Sequence, residues 1–321
     1  MNPVPVDIAS GVAQRGTRPL VVVVTFLNEE WSLPTFLESL TVQTHPPDEL
    51  ILVDDGSTDR SPEIAEEYAQ GRENVLVLRR PRRPPQRDRL AEANEFKAFQ
   101  SAVEQLEDWS IVAKMDADLQ LSRGTVEAIE EAFSTDPRLG IAGAYLSDLQ
   151  PDGSAVRWPS PETHVRGATK FYRRACWENI SPLPAILGWD TFDEAHARMR
   201  GWRTASIAVP DGDPIHLRRT GGHGRILRSF RRWGVCSWGM GAHPLHVLLY
   251  GLILMRGQRP RVIGGVNYLI GWTFAAVRNA PRVDAEIVHY IQQDELRRIR
   301  ARARRLLGLA GPRAEQSHNE S

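Results

Sequence analysis

The stretch SIVAKMDADLQ, residues 110–120, decides the fold: a largely apolar run stops on two acids, Asp116 and Asp118, set one residue apart. In extended backbone, side chains two positions apart point the same way, so both carboxylates can face one ligand while Ala117 turns aside. Working outward, PLVVVVTF (19–26) is a continuous β-branched run, the pattern of a strand covered on both faces. WSLPTFLESLTVQ (31–43) places Leu33, Phe36, Leu37 and Leu40 at helical spacing, with Ser32 as N-cap and Pro34 in the first turn. The alternation continues through ELILV (49–53) as strand and SPEIAEEYAQG (61–71) as helix, capped by Ser61 with Pro62 at its first position. NVLVL (74–78) is the next strand, LAEANEFKAFQSAVEQL (90–106) the next helix, and SIVAKM the fourth strand. This βαβαβαβ order predicts a doubly wound α/β sheet, whose ligand sites lie beyond the carboxyl ends of its strands.

That rule gives the acids a common address. Asp54 and Asp55 end the second strand, Asp116 ends the fourth, and Glu29 and Glu30 follow the first. Acids converging without bases repel one another unless a cation sits among them. Hard oxygen ligands suit Mg²⁺ or Mn²⁺, and Mg²⁺ is usually held by one or two carboxylates together with substrate phosphates, so a phosphate-bearing substrate is expected. Taken singly, each acid is equally ordinary turn chemistry, and DDGSTD (54–59) forms a good turn unaided.

Composition removes other classes. The 321 residues hold 41% hydrophobic and 25% charged side chains, as an ordinary globular protein does, and the 40 bases balance 40 acids, leaving no overall field to gather nucleic acid. Cys176 and Cys236 lie outside any paired spacing, so neither a disulfide framework nor a zinc knuckle is expected, and a reducing interior is. Residues 1–18 lack the basic start and apolar core of a secretion signal; a flexible leader and a cytoplasmic location are expected. No GxGxxG follows the first strand, no GxxxxGK[ST] occurs, and GGHG (221–224) lies outside a βαβ unit, which disfavours nicotinamide cofactors and P-loop chemistry.

TFLNEE (25–30), ILVDDGSTD (51–59) and MDADLQ (115–120), in that order on those elements, resemble the inverting family 2 glycosyltransferases with a GT-A fold, over Pro19–Gly124. MDADLQ is also similar to the metal motif of the dolichyl-phosphate mannose synthases, a branch whose acceptor is a polyprenyl phosphate. The resemblance implies a Rossmann-like mixed sheet with helices on both faces, spanning 19–234. It implies donor binding by Thr25, Glu29, Asp54 and Asp116, with Glu29 and Asp54 on the nucleoside and Asp116 at the ribose and metal. Asp118 would hold the metal bridging the diphosphate, and Gln120 would assist it. GWDTFDEAHARMRGW (188–202) fits the family's acceptor segment, with Asp190 as base and Gly201-Trp202 closing the helix. Trp189 stands where the family carries Glu, which leaves Asp193 as the alternative base, and the stretch is also an ordinary acidic helix start. In VPDGDPIHLRRTGGHG (209–224), His216, Arg218 and Arg219 could close over the diphosphate or complete the metal shell, and the resemblance favours His216. FQSA (99–102) stands where the family often shows Asn-Gly, so Lys97 and Gln100 receive no role.

The reaction so implied is metal-dependent, inverting transfer from a nucleotide-diphospho-sugar to an acceptor hydroxyl on a lipid-linked or cell-surface glycan, with Mg²⁺ or Mn²⁺ as cofactor. A polyprenyl-phosphate glycosyl synthase, which would not need Asp190, and a catalytically inactive nucleotide-sugar or glycan-binding protein are the alternatives. The basic run RRPRRPPQRDR (79–89) could meet diphosphate, anionic lipid or acidic glycan, or serve as a solvated, proline-stiffened linker. After Val235 the composition turns apolar. HPLHVLLYGLILM (243–255) and VIGGVNYLIGWTFAAV (262–277) are each shorter than the ~20 residues that span a bilayer. They are expected either to lie in the membrane interface at the inner face of the plasma membrane, or to pack as a hairpin or dimer surface. His243 and His246 could mimic a metal pair, although His-Pro at a helix start more often serves packing and capping. DELRRIRARARRLLGL (294–309) is a basic amphipathic helix, so 235–308 forms a C-terminal helical region and 309–321 is expected to be a disordered tail.

Overall fold

The computed structural model describes residues 19–82, 93–157, 160–218, 226–257 and 261–307. Most of the 79–89 run, Arg219, GGHG and the two termini therefore lie outside the described residues. The elements run β1 (Leu20–Phe26), α1 (Leu33–Thr41), β2 (Glu49–Asp54), α2 (Ser61–Ala69), β3 (Val75–Arg79), α3 (Asn94–Val103), β4 (Ile111–Asp116) and β5 (Leu119–Gln120). There follow α4 (Thr125–Thr135), β6 (Leu139–Ala144), β7 (Ser147–Leu149), β8 (Ala155–Arg157), β9 (Thr169–Arg173), α5 (Arg174–Ile180), α6 (Trp189–Met199), β10 (Arg203–Ile207) and β11 (Ile215–His216). The last helices are α7 (Ile226–Gly239), α8 (Pro244–Gly257), α9 (Ile263–Val277) and α10 (Ala285–Leu306). The described residues fall into two compact units that divide at Ser229/Phe230.

The first unit is built on a seven-stranded sheet of order β10-β6-β9-β4-β1-β2-β3. Its strands pair in parallel except β9, which runs antiparallel to both β4 and β6 and makes the sheet mixed. β1 lies fully buried along its length, as its β-branched run requires. Leu33, Phe36, Leu37 and Leu40 of α1 join β1 and β4 in the core, as their spacing predicts. A smaller sheet, β5-β11-β7-β8, sets Leu119 opposite His216 and Gln120 opposite Ile215.

Two helix starts differ from expectation. Ser32 holds the N-cap position of α1 without capping it; its hydroxyl donates to the Glu29 carboxylate at 2.8 Å. At α2 the cap position falls to Arg60, and Ser61 instead donates to Asp59 and accepts the Glu29 N–H at 2.8 Å. In both cases the loops at the carboxyl edge claim the hydroxyl. Strands β6, β9 and β10 carry no clean apolar run: β6 holds two glycines and β9 holds Lys170 and Arg173. Gly143 is there because a Cβ at that position would lie 1.9 Å from the Thr169 carbonyl oxygen of β9.

The second unit packs α7, α8 and α9 around Phe230, Ala242, Val247, Leu254 and Tyr268. Ser237 and Tyr268 share a hydrogen bond of 2.9 Å across α7 and α9.

Candidate active site

Parallel register brings the ends of β1, β2 and β4 level: Thr25 lies opposite Asp116, and Phe26 opposite Asp54. The loop after β2 folds on its own acid, the buried Asp54 accepting the Ser57 N–H at 2.8 Å. Asn28, in the left-handed region at φ 55°, accepts the Thr58 N–H at 2.7 Å and ties the loop after β1 to the loop after β2. The turn reading and the ligand reading of DDGSTD thus coexist. Among the described residues, Thr25 Oγ1 is buried with no hydrogen-bond partner, a donor facing the level at which these strands end.

Asp116, Asp118 and His216 offer ligand atoms that all lie within 4.8 Å of one another. His216 reaches the pair because β11 runs beside β5, and its Nε2 lies 3.2 Å from Asp118 Oδ1. Its Nδ1 lies 3.4 Å from Asp148, which accepts from Arg166 Nη2 at 2.8 Å. Burial alone would lower the His216 pKa; its hydrogen bonds to Asp118 and Asp148 outweigh that and push it up to about 9. Burial alone would raise the Asp118 carboxyl, but His216 and Arg218 hold it below its ordinary range. Gln120 is exposed, one register position from His216.

The acids are not without bases, which corrects the premise on which a cation was first expected. Asp116 pairs with Lys114, buried within β4, and Lys114 also pairs with Glu95 and donates to the Gly167 carbonyl at 3.1 Å. Arg218 takes Glu29 in a two-pronged grip at 3.0 and 2.7 Å, lies 3.8 Å from Asp118, and stacks 4.8 Å over the exposed Trp31 ring. Asp55 pairs with Arg80 at 2.8 Å. Arg166 and His216 both face Asp148, and His216 and Arg218 both face Asp118. The donor set, two carboxylates and an imidazole converging on one point, still fits Mg²⁺ or Mn²⁺, which would need His216 as its neutral ring.

Asp190 lies in the first turn of α6, beyond Gly188 at φ 88°. Its carboxylate packs on Gly167, where a Cβ would stand 2.8 Å from Asp190 Oδ2. Since the Gly167 carbonyl also accepts from Lys114, one glycine links Asp190 to the Lys114–Asp116 pair. Asp193 is placed quite differently. It is fully buried and accepts two bonds from Lys170, at 2.6 and 2.8 Å, and one from Tyr172 at 2.5 Å. Despite burial, Asp193 and Glu194 keep Lys170 charged above its ordinary range. Trp189 stacks on Phe96 at 4.2 Å and carries both buried lysines over its ring, Lys114 at 5.6 Å and Lys170 at 5.8 Å. Gln100 donates to the Leu183 carbonyl at 2.8 Å, and Lys97 is exposed.

Residues 21–179 match the model of glycosyl transferase family 2. The chain carries a family 2 glycosyltransferase domain. The chain is 30% identical, over 180 residues, to the N-acetylglucosaminyl-diphospho-decaprenol L-rhamnosyltransferase of Mycobacterium tuberculosis. That match covers 49% of this chain and 54% of the relative, so the chain spans about half the length of the curated relatives it matches. The mannosyltransferase PcManGT from Pyrobaculum calidifontis, solved with GDP-Man and Mn²⁺, superimposes with a TM-score of 0.50 at 17% identity, over 92% of this chain and 82% of that one. GalNAc-T7, solved with UDP, GalNAc and Mn²⁺, gives 0.50 at 15% identity over 83% and 56%. The chain has the GT-A fold, as its three motifs implied, and the family match runs past Gly124 to residue 179.

Proposed function

We propose that the glycosyltransferase moves a sugar, with inversion, from a nucleotide-diphospho-sugar to a hydroxyl of a lipid-linked glycan, with Mg²⁺ or Mn²⁺ as cofactor. The observation that carries this reading is the meeting of Asp116, Asp118 and His216 within 4.8 Å at the carboxyl edge of the sheet. Those three, with Gln120 beside them, would hold the cation, which when bound neutralises charge on the departing nucleoside diphosphate. Thr25, Glu29 and Asp54 would bind the nucleoside, and Arg218, released from Glu29, would meet the diphosphate. Asp190 takes the proton of the acceptor hydroxyl as its oxygen forms the new bond to the anomeric carbon. The bond from that carbon to the diphosphate breaks, and its electron pair leaves with the phosphate oxygen. The engagement of the Asp193 carboxylate by Lys170 and Tyr172 favours Asp190 over Asp193 as this base. The lipid-linked acceptor is supported by the name of the mycobacterial relative.

The test is transfer by the purified chain from a panel of nucleotide sugars to polyprenyl-diphospho-glycan acceptors, with the product's anomeric configuration read by NMR. Chelation should abolish turnover and Mn²⁺ restore it; an uninverted product would refute the mechanism. Full activity in Asp190→Asn would assign the acceptor to a phosphate oxygen, which needs no base.

A further inference from the structure

The helices α8 and α9 wear their apolar residues outward. On α8, Leu245, Leu248, Leu249, Leu252 and Ile253 are exposed, and their spacing of three and four places them on one face. On α9 the exposed residues are Ile263, Val266, Ile270, Phe274 and Val277, the last 82% exposed. The opposite faces are spent on each other. Gly251 and Gly265 bring the helices so close that a Cβ on Gly265 would lie 2.3 Å from the Gly251 carbonyl oxygen. Contact through small residues, with large apolar side chains outside, is how helices associate in lipid, where apolar exposure carries no penalty. A shallow groove of about 470 Å³ along α9, lined by Val266, Leu269, Ile270, Thr273, Phe274 and Val277, adds a seat with a single hydroxyl in it.

Charge identifies the occupant. α9 holds no charged residue and α8 only Arg256, while Arg256, Arg261 and Arg278 stand exposed at the helix ends. The Arg278 guanidinium lies 4.2 Å over the Phe274 ring, a cation at the margin of the apolar face. Residues 230–307 contain thirteen arginines, no lysine and four acids, in a chain whose 40 bases and 40 acids balance over its full length. A second copy docked face to face would set these arginines against one another. Anionic phospholipid headgroups would meet them while acyl chains met the leucines. Helices of 14 and 15 residues are about 21–23 Å long at ~1.5 Å per residue, short of the ~30 Å hydrocarbon core. Among the described residues, no helix is long and apolar enough to cross a membrane.

We infer that the α8–α9 hairpin is a membrane-docking surface, seating its exposed leucine, isoleucine and phenylalanine side chains at the headgroup–acyl boundary of an anionic bilayer. This deepens the lipid-linked acceptor reading, on which its purpose rests, although the surface itself stands on α8 and α9 alone. The test is flotation of the full chain with vesicles of phosphatidylcholine, with and without phosphatidylglycerol. The expected result is binding to the anionic vesicles, weakened about tenfold or more in the double variant Ile253→Glu/Phe274→Glu, as charge enters the buried face. Nucleoside-diphosphate binding, read by thermal shift, should be unchanged in that variant. Should the double variant melt early, Val277→Glu, at an almost fully exposed site, carries the comparison. Vesicle binding that ignores these substitutions overturns the inference. So does a wild-type dimer that the variants turn monomeric in analytical ultracentrifugation while no vesicles bind. Vesicle binding in a protein that transfers no sugar would leave the surface standing and end the catalytic reading.

Discussion

The carboxyl edge of the seven-stranded sheet and the α8–α9 hairpin break the usual partition of side chains in opposite directions. At the sheet edge, charged groups are inside: Lys114, Lys170, Asp118 and Asp193 are all buried. On the hairpin, leucines and isoleucines are outside. Buried charge is tolerated only where partners neutralise it, and exposed apolar surface of this extent is kept only where another phase or molecule covers it. On the readings proposed above, the sheet edge would meet a cation and a diphosphate, and the hairpin a lipid surface. Within the sheet unit the two kinds of buried charge also separate. Asp193 is spent on Lys170 and Tyr172, whereas Asp118 shares its partners with a site that a ligand can enter.

Substitutions break or sharpen that contrast. The largest effect is expected from Asp118→Ala: Mn²⁺-dependent turnover, measured as initial rate of donor consumption, should fall by about a thousandfold, the scale for losing the group that stabilises the departing charge. Asp190→Asn should lower kcat by roughly two to four orders of magnitude, with donor affinity in calorimetry unchanged. Asp193→Ala, three residues along the same helix, should act on stability instead. It strands Lys170 in the core, and chemical denaturation should report a loss of about 3–5 kcal/mol. Equal stability of the Asp190 and Asp193 variants would erase the distinction between them.

A smaller effect follows from His216. Its pKa in the folded, cation-free protein is pushed up to about 9 from an ordinary 6.5, so its pairing with Asp118 and Asp148 stabilises the fold fully below pH 6.5 and is lost as pH rises through 9. The cation needs the deprotonated ring. Apparent Mn²⁺ affinity by calorimetry should therefore climb about tenfold per pH unit between 7 and 9, then level off, and in His216→Ala the affinity should be weaker and the climb absent. The smallest effect belongs to the hairpin: Ile270→Ser, at an exposed site, should leave the unfolding free energy within about 0.5 kcal/mol of wild type, unlike any core isoleucine.

How much of this could be read from the sequence depends on the range of the interactions. β1, β2 and β4 were legible, because they are buried on both faces and so read as apolar runs, interrupted within β4 only by Lys114. β9 was not, since its buried Lys170 is satisfied by Asp193 and Glu194, more than twenty residues away. Lys114 hid for a different reason: its partner Asp116 stands only two residues on, yet a lysine within an apolar run gives no sign that it is buried, and Asp116 read as an unaccompanied acid. Arg218 meets Glu29 across 189 positions, a pairing no local spacing encodes. Trp189, noted as a departure from the family, shows its use only in space, as an aromatic plate beneath two buried lysines. The outward leucines of α8 left a trace in sequence as all-round hydrophobicity, but which face would be exposed required the glycine contacts with α9.

The most direct test of the central claim is a thermal-shift titration of the full chain with a panel of nucleoside diphosphates, with and without Mn²⁺, in wild type and Asp118→Ala. At a hundred times Kd, binding should stabilise the wild type by about 2.7 kcal/mol, only with Mn²⁺ present, and the shift should vanish in the variant. A shift that survives Asp118→Ala with Mn²⁺, or no shift from any nucleoside diphosphate in the wild type, would contradict a shared cation and diphosphate site at the meeting of Asp116, Asp118 and His216.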